Sequence, residues 1–351
     1  MRELHDGFDD KLIPVKPLDL SKVSNFSDLL EAMQYAAAGA RNVGTAAAIL
    51  TEMAKDKDCF VVLTLSGAMT MFKMGLVICD LIDHGLVHCV VSTGALMCHG
   101  LVEATGRHHF RYDHRMDDNT LYERGYNRVH DTLEPEMNLD ELEHVISGVL
   151  HSEPKDRTWS SSFFCKKVGE YLHNHIPGRG ILKSAYEHNV PIFIPAFTDS
   201  ELAIDMERWA REVHNDYSLD TLADKISIAD LPNFNPFLDL RYYTNLISQQ
   251  KSIGIFTIGG GVPRNWAQQV GPMIELLQRS NKIVATKKQF RYAVRICTAV
   301  EQDGGLSGCT YSEGKSWGKF EPRAKTSEIW ADATLVLPLL IKGVLQRLGK
   351  C

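Results

Sequence analysis

The chain lacks several features, and each absence excludes a class of protein. Its 351 residues include eight cysteines but no C-x-x-C pair. That pattern excludes zinc ribbons and thioredoxin-like redox motifs. Cysteines such as Cys89, inside the apolar run Val87–Val91, behave as small hydrophobes. They predict reduced thiols in a cytoplasmic protein, not a disulfide framework. Long apolar runs are also missing. Ala333–Leu340 is too short to cross a bilayer, and the polar, acidic stretch Met1–Asp10 has no signal-peptide core. Positive charge is scarce: 38 Lys and Arg stand against 44 Asp and Glu, a net charge of -6. A partner such as nucleic acid, which needs a basic face, is not expected. Neither G-x-x-x-x-G-K-[ST] nor G-x-S-x-G occurs, and there is no repeat or low-complexity linker.

What remains is an alternation of two periods. Apolar runs at 60–65, 86–92, 190–196, 253–258 and 291–297 predict buried strands. Helical patterns at 69–84, 139–150, 161–173, 200–214, 263–279 and 331–348 lie between or after them. A long Ala-rich helix is expected from Phe26, capped by Asn25, to about Lys55, with a break near Gly44. Alternating strands and helices imply right-handed βαβ units. The expected fold is therefore α/β and Rossmann-like, a mostly parallel sheet with helices on both faces. A single large domain over 26–351 would follow an arm at 1–25, with 100–136 and 215–250 as insertions.

In such a sheet ligands bind beyond the carboxyl ends of the strands. The residues found there are Thr93 and Gly94, Thr198 and Asp199, Gly259-Gly260-Gly261, and Thr298 and Ala299. The glycine turn follows a strand and precedes a helix with Pro263 in its first turn. It reads either as an anion site of bare backbone N–H groups or as a tight turn between close backbones. Glu201 and Asp205 share a helix face after Asp199, either to hold an ammonium group or as a solvated acidic first turn. Lys319, two residues from Trp317, is a candidate nucleophile if desolvated and an ordinary solvated lysine if not. The histidines at 107–114 and His173-Asn174-His175 have no strong zinc spacing, so no metal is expected.

Five segments together are similar to the deoxyhypusine synthase family. They are Ser316-Trp317-Gly318-Lys319, Trp330 to Val336, Pro195 to Asp199, Gly259 to Val262, and Thr298 to Gly308. The resemblance covers roughly 30 to 348 in the same order. It implies an NAD-binding homotetramer with active sites at a dimer interface. It also implies transfer of an aminobutyl group from a polyamine, through an imine on Lys319, to an acceptor amine. By the same resemblance Thr93, Gly94, Asp199, Gly259, Gly260, Gly261, Thr298, Ala299, Asp303, Ser307 and Asp332 fall where the family binds NAD. Asp205, Glu313 and Trp317 fall where it binds the amine, as do the positions of Asn265, Gln269 and Arg295.

Several positions depart from the family pattern. Asn265 replaces a histidine, Gln269 an asparagine, Leu306 an acidic residue and Arg295 a tyrosine. Cys98-His99 replace a glutamate pair near the cofactor ribose, and the segment between Asp199 and Asp205 is one residue longer. An added cation and a lost anion disfavour a fully cationic polyamine. The expected function is thus NAD-dependent transfer to a small-molecule acceptor, as in homospermidine synthases. An authentic deoxyhypusine synthase acting on a translation factor and a non-catalytic NAD-binding protein are the alternatives.

Overall fold

The structure is a computed structural model that describes residues 2–217, 219, 227–280 and 286–350. The expected insertion at 215–250 lies partly outside the described residues. In chain order, α1 (Phe26–Gln34) and α2 (Ala38–Lys55) lead to β1 (Cys59–Leu65), α3 (Gly75–Asp83), β2 (Cys89–Ser92) and α4 (Gly94–Ala104). An excursion follows through β3 (Phe110–Arg111), α5 (Asp118–Glu123), β4 (Tyr126–Val129) and β5 (Thr132–Pro135). Next come α6 (Glu136–His151), α7 (Ser161–His175), α8 (Ile181–Glu187), β6 (Ile192–Phe193), α9 (Glu201–His214) and α10 (Pro236–Ser248). The chain closes with β7 (Ser252–Ile258), α11 (Gly261–Gln268), α12 (Val270–Arg279), β8 (Phe290–Cys297), α13 (Tyr311–Ser316), β9 (Phe320–Trp330) and α14 (Ala333–Arg347).

Six strands form one parallel sheet in the order β6-β2-β1-β7-β8-β9. After β6 the chain returns to the far side of β1, so the winding direction reverses between β1 and β7. That is the doubly wound arrangement, whose crevice opens where the order reverses. Both faces of the sheet are covered, which is why its strands read as unbroken apolar runs. Val61, Leu63 and Leu65 of β1 enter one core with α2, α4, α9 and α14. Val62 enters a second core with Tyr243, Ala267, Ile274, Tyr311 and Phe320.

Asn25 caps α1 by accepting from the backbone N–H of Asp28 at 3.0 Å. The expected break at Gly44 is corrected: the chain turns at Tyr35–Ala37, and Gly44 sits inside α2. A Cβ on Gly44 would fall 2.2 Å from the Gln34 nitrogen, so this glycine serves the contact between α1 and α2. The single helix expected at 263–279 is divided into α11 and α12 around Gln269. The sequence pattern missed β9 and the small antiparallel sheet β3-β5-β4. β9 is an edge strand carrying Glu321, Arg323, Lys325 and Glu328, and it lacks the apolar run of its neighbours. It also missed α4 and α10. The start of α7 is fixed from a distance: both carboxylate oxygens of Asp239 on α10 accept from the N–H and hydroxyl groups of Ser161 and Ser162 at 2.6–3.1 Å.

Candidate active site

The strand tips make a crevice. Because the strands are parallel, Ser66, Thr93, Gly259, Thr298 and Asp332 all follow carboxyl ends on one edge of the sheet. At the reversal point the hydroxyl of Ser66 accepts from the Gly260 N–H at 2.8 Å. Ser66 was missed in the sequence; its signal was Ser66-Gly67 directly after an apolar strand. Gly259 and Gly261 adopt φ of +83° and +64°, conformations that favour glycine. A Cβ on Gly260 would lie 2.8 Å from the Ser307 Cα, so the loop after β8 rests directly on the glycine turn. Among the described residues no side chain caps α11. Its first backbone N–H groups are therefore available to an anion, aided by the helix dipole.

Other expected crevice residues gather nearby. Gly94, opening α4 after Thr93, is packed so closely on Ser200 that a Cβ would meet its Oγ at 2.3 Å. The start of α4 and the Asp199-Ser200 turn are thus brought together. Thr298, Ala299 and Asp303 lie on the loop after β8, with Asp303 closing a 3-10 turn at Glu301–Asp303. Asp332 caps α14, accepting from the Thr334 N–H at 2.7 Å. Hydrogen bonds from Thr334 hold its carboxyl below the usual range, with burial opposing.

Lys319 opens a second feature, a cavity of about 240 Å³ walled by Arg264, Asn265, Gln269, Glu313, Trp317 and Leu306, among others. Its Nζ donates to Asn265 Oδ1 at 3.0 Å and lies 6.0 Å from the Trp317 ring centroid. Burial first, and the Arg264 guanidinium second, lower the pKa of the amine below its ordinary value. Disfavouring the ammonium form in this way makes a lysine a better nucleophile. The cavity adjoins the glycine turn: Ser307 packs on Gly260, while Leu306 and Cys309 on either side of it line the cavity. Trp317 remains 66% exposed, an apolar face at the mouth.

Arg295 is not a wall of this cavity, contrary to its expected place in the substrate pocket. Its side chain is buried between β8 and β9, paired with Glu328, and donates to the carbonyls of Ser307 and Cys309 at 2.8 and 2.7 Å. Arg264 donates to the carbonyls of Leu306 and Cys309 at 2.6 and 2.8 Å. Two guanidinium groups therefore clamp the 306–309 segment. The clamp was hidden in the sequence because its acceptors are backbone carbonyls, which no residue type advertises.

Asp205 stands apart from Lys319. It projects from α9, whose Leu202 and Met206 belong to the first core, whereas Tyr311, a wall of the lysine cavity, belongs to the second. The two groups thus lie on opposite faces of the sheet within one chain. Burial, then the neighbouring Glu143, raises the pKa of Asp205 to about 6, with Arg208 opposing. Glu201 and Asp140 add to the same negative field.

Comparison with known proteins bears on most of the chain. The family model described as deoxyhypusine synthase matches residues 28–344. A deoxyhypusine synthase-like protein of Chlorobaculum tepidum is 33% identical over 93% of this chain and 88% of its own length. The probable deoxyhypusine synthase 2 of Archaeoglobus fulgidus is 32% identical over 87% of this chain and 93% of its own length. A solved structure described as a deoxyhypusine synthase from Entamoeba histolytica superposes with a TM-score of 0.57 at 16% identity, covering 94% of this chain and 96% of that one. At that identity the likeness speaks for the fold alone.

Proposed function

The chain belongs to the deoxyhypusine synthase family, and from that premise we propose that it is an NAD-dependent transferase moving an aminobutyl-type group from a polyamine, through an imine on Lys319, to a small acceptor amine. The observation that carries this reading is the Lys319 amine, half-buried beside Trp317 and Asn265, with its basicity lowered by burial and by Arg264.

The crevice fits the cofactor. Gly259, Gly260 and Gly261 let Ser66 and Ser307 close on the turn, and the α11 backbone N–H groups suit a pyrophosphate. When bound there, NAD supplies the hydride acceptor and later the hydride donor. Thr93, Gly94, Asp199, Thr298, Ala299, Asp303, Ser307 and Asp332 are the residues that would surround it. Asp205 and Glu201 hold the donor ammonium through their shared negative field. Lys319, neutral, adds to the C=N carbon of the oxidised donor and expels the smaller amine, leaving the transferred group as an imine on Nζ. The acceptor amine then displaces Nζ, and Lys319 is regenerated. Because Asp205 and Lys319 lie on opposite sheet faces of one chain, the reading requires a second copy to complete each site, consistent with a homotetramer.

A small acceptor is favoured by a single arginine cation at the lysine cavity. Arg264 walls it, and Leu306 stands there without a charge. No helix among the described residues is long and apolar enough to cross a membrane. The seven described cysteines are all free, as a reducing cytoplasm would keep them.

The test is to incubate the protein with NAD and a panel of di- and polyamines, reduce with borohydride, and map the mass adduct. An adduct on Lys319 that is absent from Lys319→Ala supports the transfer. An active Lys319→Ala variant, or no adduct with any amine, overturns it. Label passing from spermidine to a translation-factor lysine would instead identify the protein-modifying reaction.

A further inference from the structure

Beside the acidic cluster, residues from four separate stretches converge. Glu134 of β5 is 1% exposed. One of its oxygens lies 3.2 Å from His109 Nε2, and the other touches His99 Nδ1. Lys73 Nζ approaches the far nitrogen of His109 at 2.7 Å and Glu103 at 2.8 Å. The donor directions are forced. An ammonium has only protons to give, so His109 Nδ1 accepts and its single proton sits on Nε2, which donates to Glu134. His99 then carries its proton on Nδ1, facing the other carboxylate oxygen. Its Nε2 is left with the lone pair.

The same three side chains place ligand atoms within 4.8 Å of one another, as a metal site would. A metal would need His109 Nε2 bare and a proton on Nδ1, directly against the Lys73 ammonium. Metal-bound histidines instead give that second N–H to an acceptor. The arrangement therefore has the logic of a carboxylate orienting an imidazole base.

His99 sits on α4, which starts at the crevice, and its side chain is 16% exposed, while those of Glu134 and His109 beneath it are shut off. Glu201 and Asp205 face this region from α9, Asp140 and Glu143 from α6, and α8 brings apolar Ile181 against Gly100. We infer that the 106–135 excursion sets His99 as the proton acceptor for the donor amine, with Glu134 and His109 as positioning residues. The inference rests on the transfer reading above. In the step, the substrate ammonium N–H bond breaks and an Nε2–H bond forms. The nitrogen keeps the electron pair, and that pair becomes the C=N bond as hydride leaves the adjacent carbon for the nicotinamide. Burial alone would lower the His99 pKa, but contact with Glu134 and the field of Glu201 outweigh it and raise it.

The test uses the full chain labelled with 13C at the histidine rings, with the His99 signal assigned from a His99→Gln variant. The expected spectrum shows the Nδ1–H form of His99, titrating above its ordinary value. Its midpoint should fall by about one pH unit in Glu134→Gln. With an amine that reduces NAD, the acid limb of NADH formation should follow the same midpoint and move with it. His99→Gln should lose about 100-fold in rate at neutral pH. The inference is overturned by a His99 titration that Glu134→Gln leaves in place, by an acid limb that neither variant moves, or by a stoichiometric zinc ion lost in His109→Ala. If NADH forms normally in His99→Gln, the inference alone fails. If no amine yields NADH in the unmodified protein, the transfer reading fails with it.

Discussion

Gly260→Ala is the sharpest single-atom test of the crevice. The change does not meet the left-handed backbone that favours glycine, because φ at this residue is -175°. The obstacle is steric. The new Cβ would lie 2.8 Å from the Cα of Ser307 and 2.9 Å from its Cβ and Oγ. Ordinary contact would require a displacement of roughly 0.7 Å, taking about 3.5 Å as a relaxed carbon–carbon separation. The loop cannot yield cheaply, since Arg295 holds the Ser307 carbonyl at 2.8 Å and Arg264 holds Leu306 at 2.6 Å. Overpacking of this kind costs about 1–3 kcal/mol, and it falls on the turn that would meet the cofactor. Gly260→Ala should therefore lower the melting temperature and weaken NAD binding by about 10-fold or more, since about 1.4 kcal/mol is a factor of ten. Gly305→Ala supplies the control: nothing lies within 4 Å of its Cβ position, so both quantities should be unchanged. Calorimetric titration with NAD and thermal unfolding read the two effects. An alanine at 260 that binds NAD and melts like the parent, or one at 305 that is equally damaging, would refute the reasoning.

Three further outcomes follow from the same geometry. Asp205 titrates near 6 in the folded chain, above its unfolded value, so folding favours its neutral form. The resulting destabilisation is absent below the unfolded pKa and develops as pH rises through about 6. Asp205→Asn should therefore raise the melting temperature at pH 8 and leave it unchanged at pH 3. Glu328→Gln leaves the Arg295 guanidinium, 1% exposed, without its counter-charge. A loss of about 3–5 kcal/mol is expected, measured by denaturant unfolding, and Glu321→Gln on the same strand should cost almost nothing. Imine formation needs neutral Lys319, so trapping with a simple aldehyde should rise with pH around a midpoint below the ordinary lysine value. Arg264→Gln should move that midpoint upward, because it removes a cation that disfavours the ammonium form. A midpoint that stays put would show that burial alone sets it.

The strands at 59–65, 252–258 and 290–297 were legible to within two residues, because burial on both faces leaves an unbroken apolar run. β6 was read as seven residues and pairs over only two, Ile192 and Phe193. There the apolar run continues into a loop that is also buried. β9 left no comparable signal: an edge strand with alternating exposure can carry charge along most of its length. The glycine turn and Lys319 were visible as local patterns. Ser66, Arg264 and Glu134 were not, since each acts on a partner far along the chain.

By itself the sequence determined the alternating architecture, the glycine turn at the end of β7 and the lysine beside a tryptophan. Those properties depend on residues within a few positions of one another, through side-chain period and backbone freedom. Only the tertiary structure decided that Asp205 and Lys319 occupy opposite faces, that Arg295 is sealed beneath a loop instead of facing a substrate, and that His99 meets Glu134. The reason is that burial, charge and hydrogen bonding are set by spatial neighbours. Asn265 and Lys319 are 54 residues apart in the chain yet 3.0 Å apart in space.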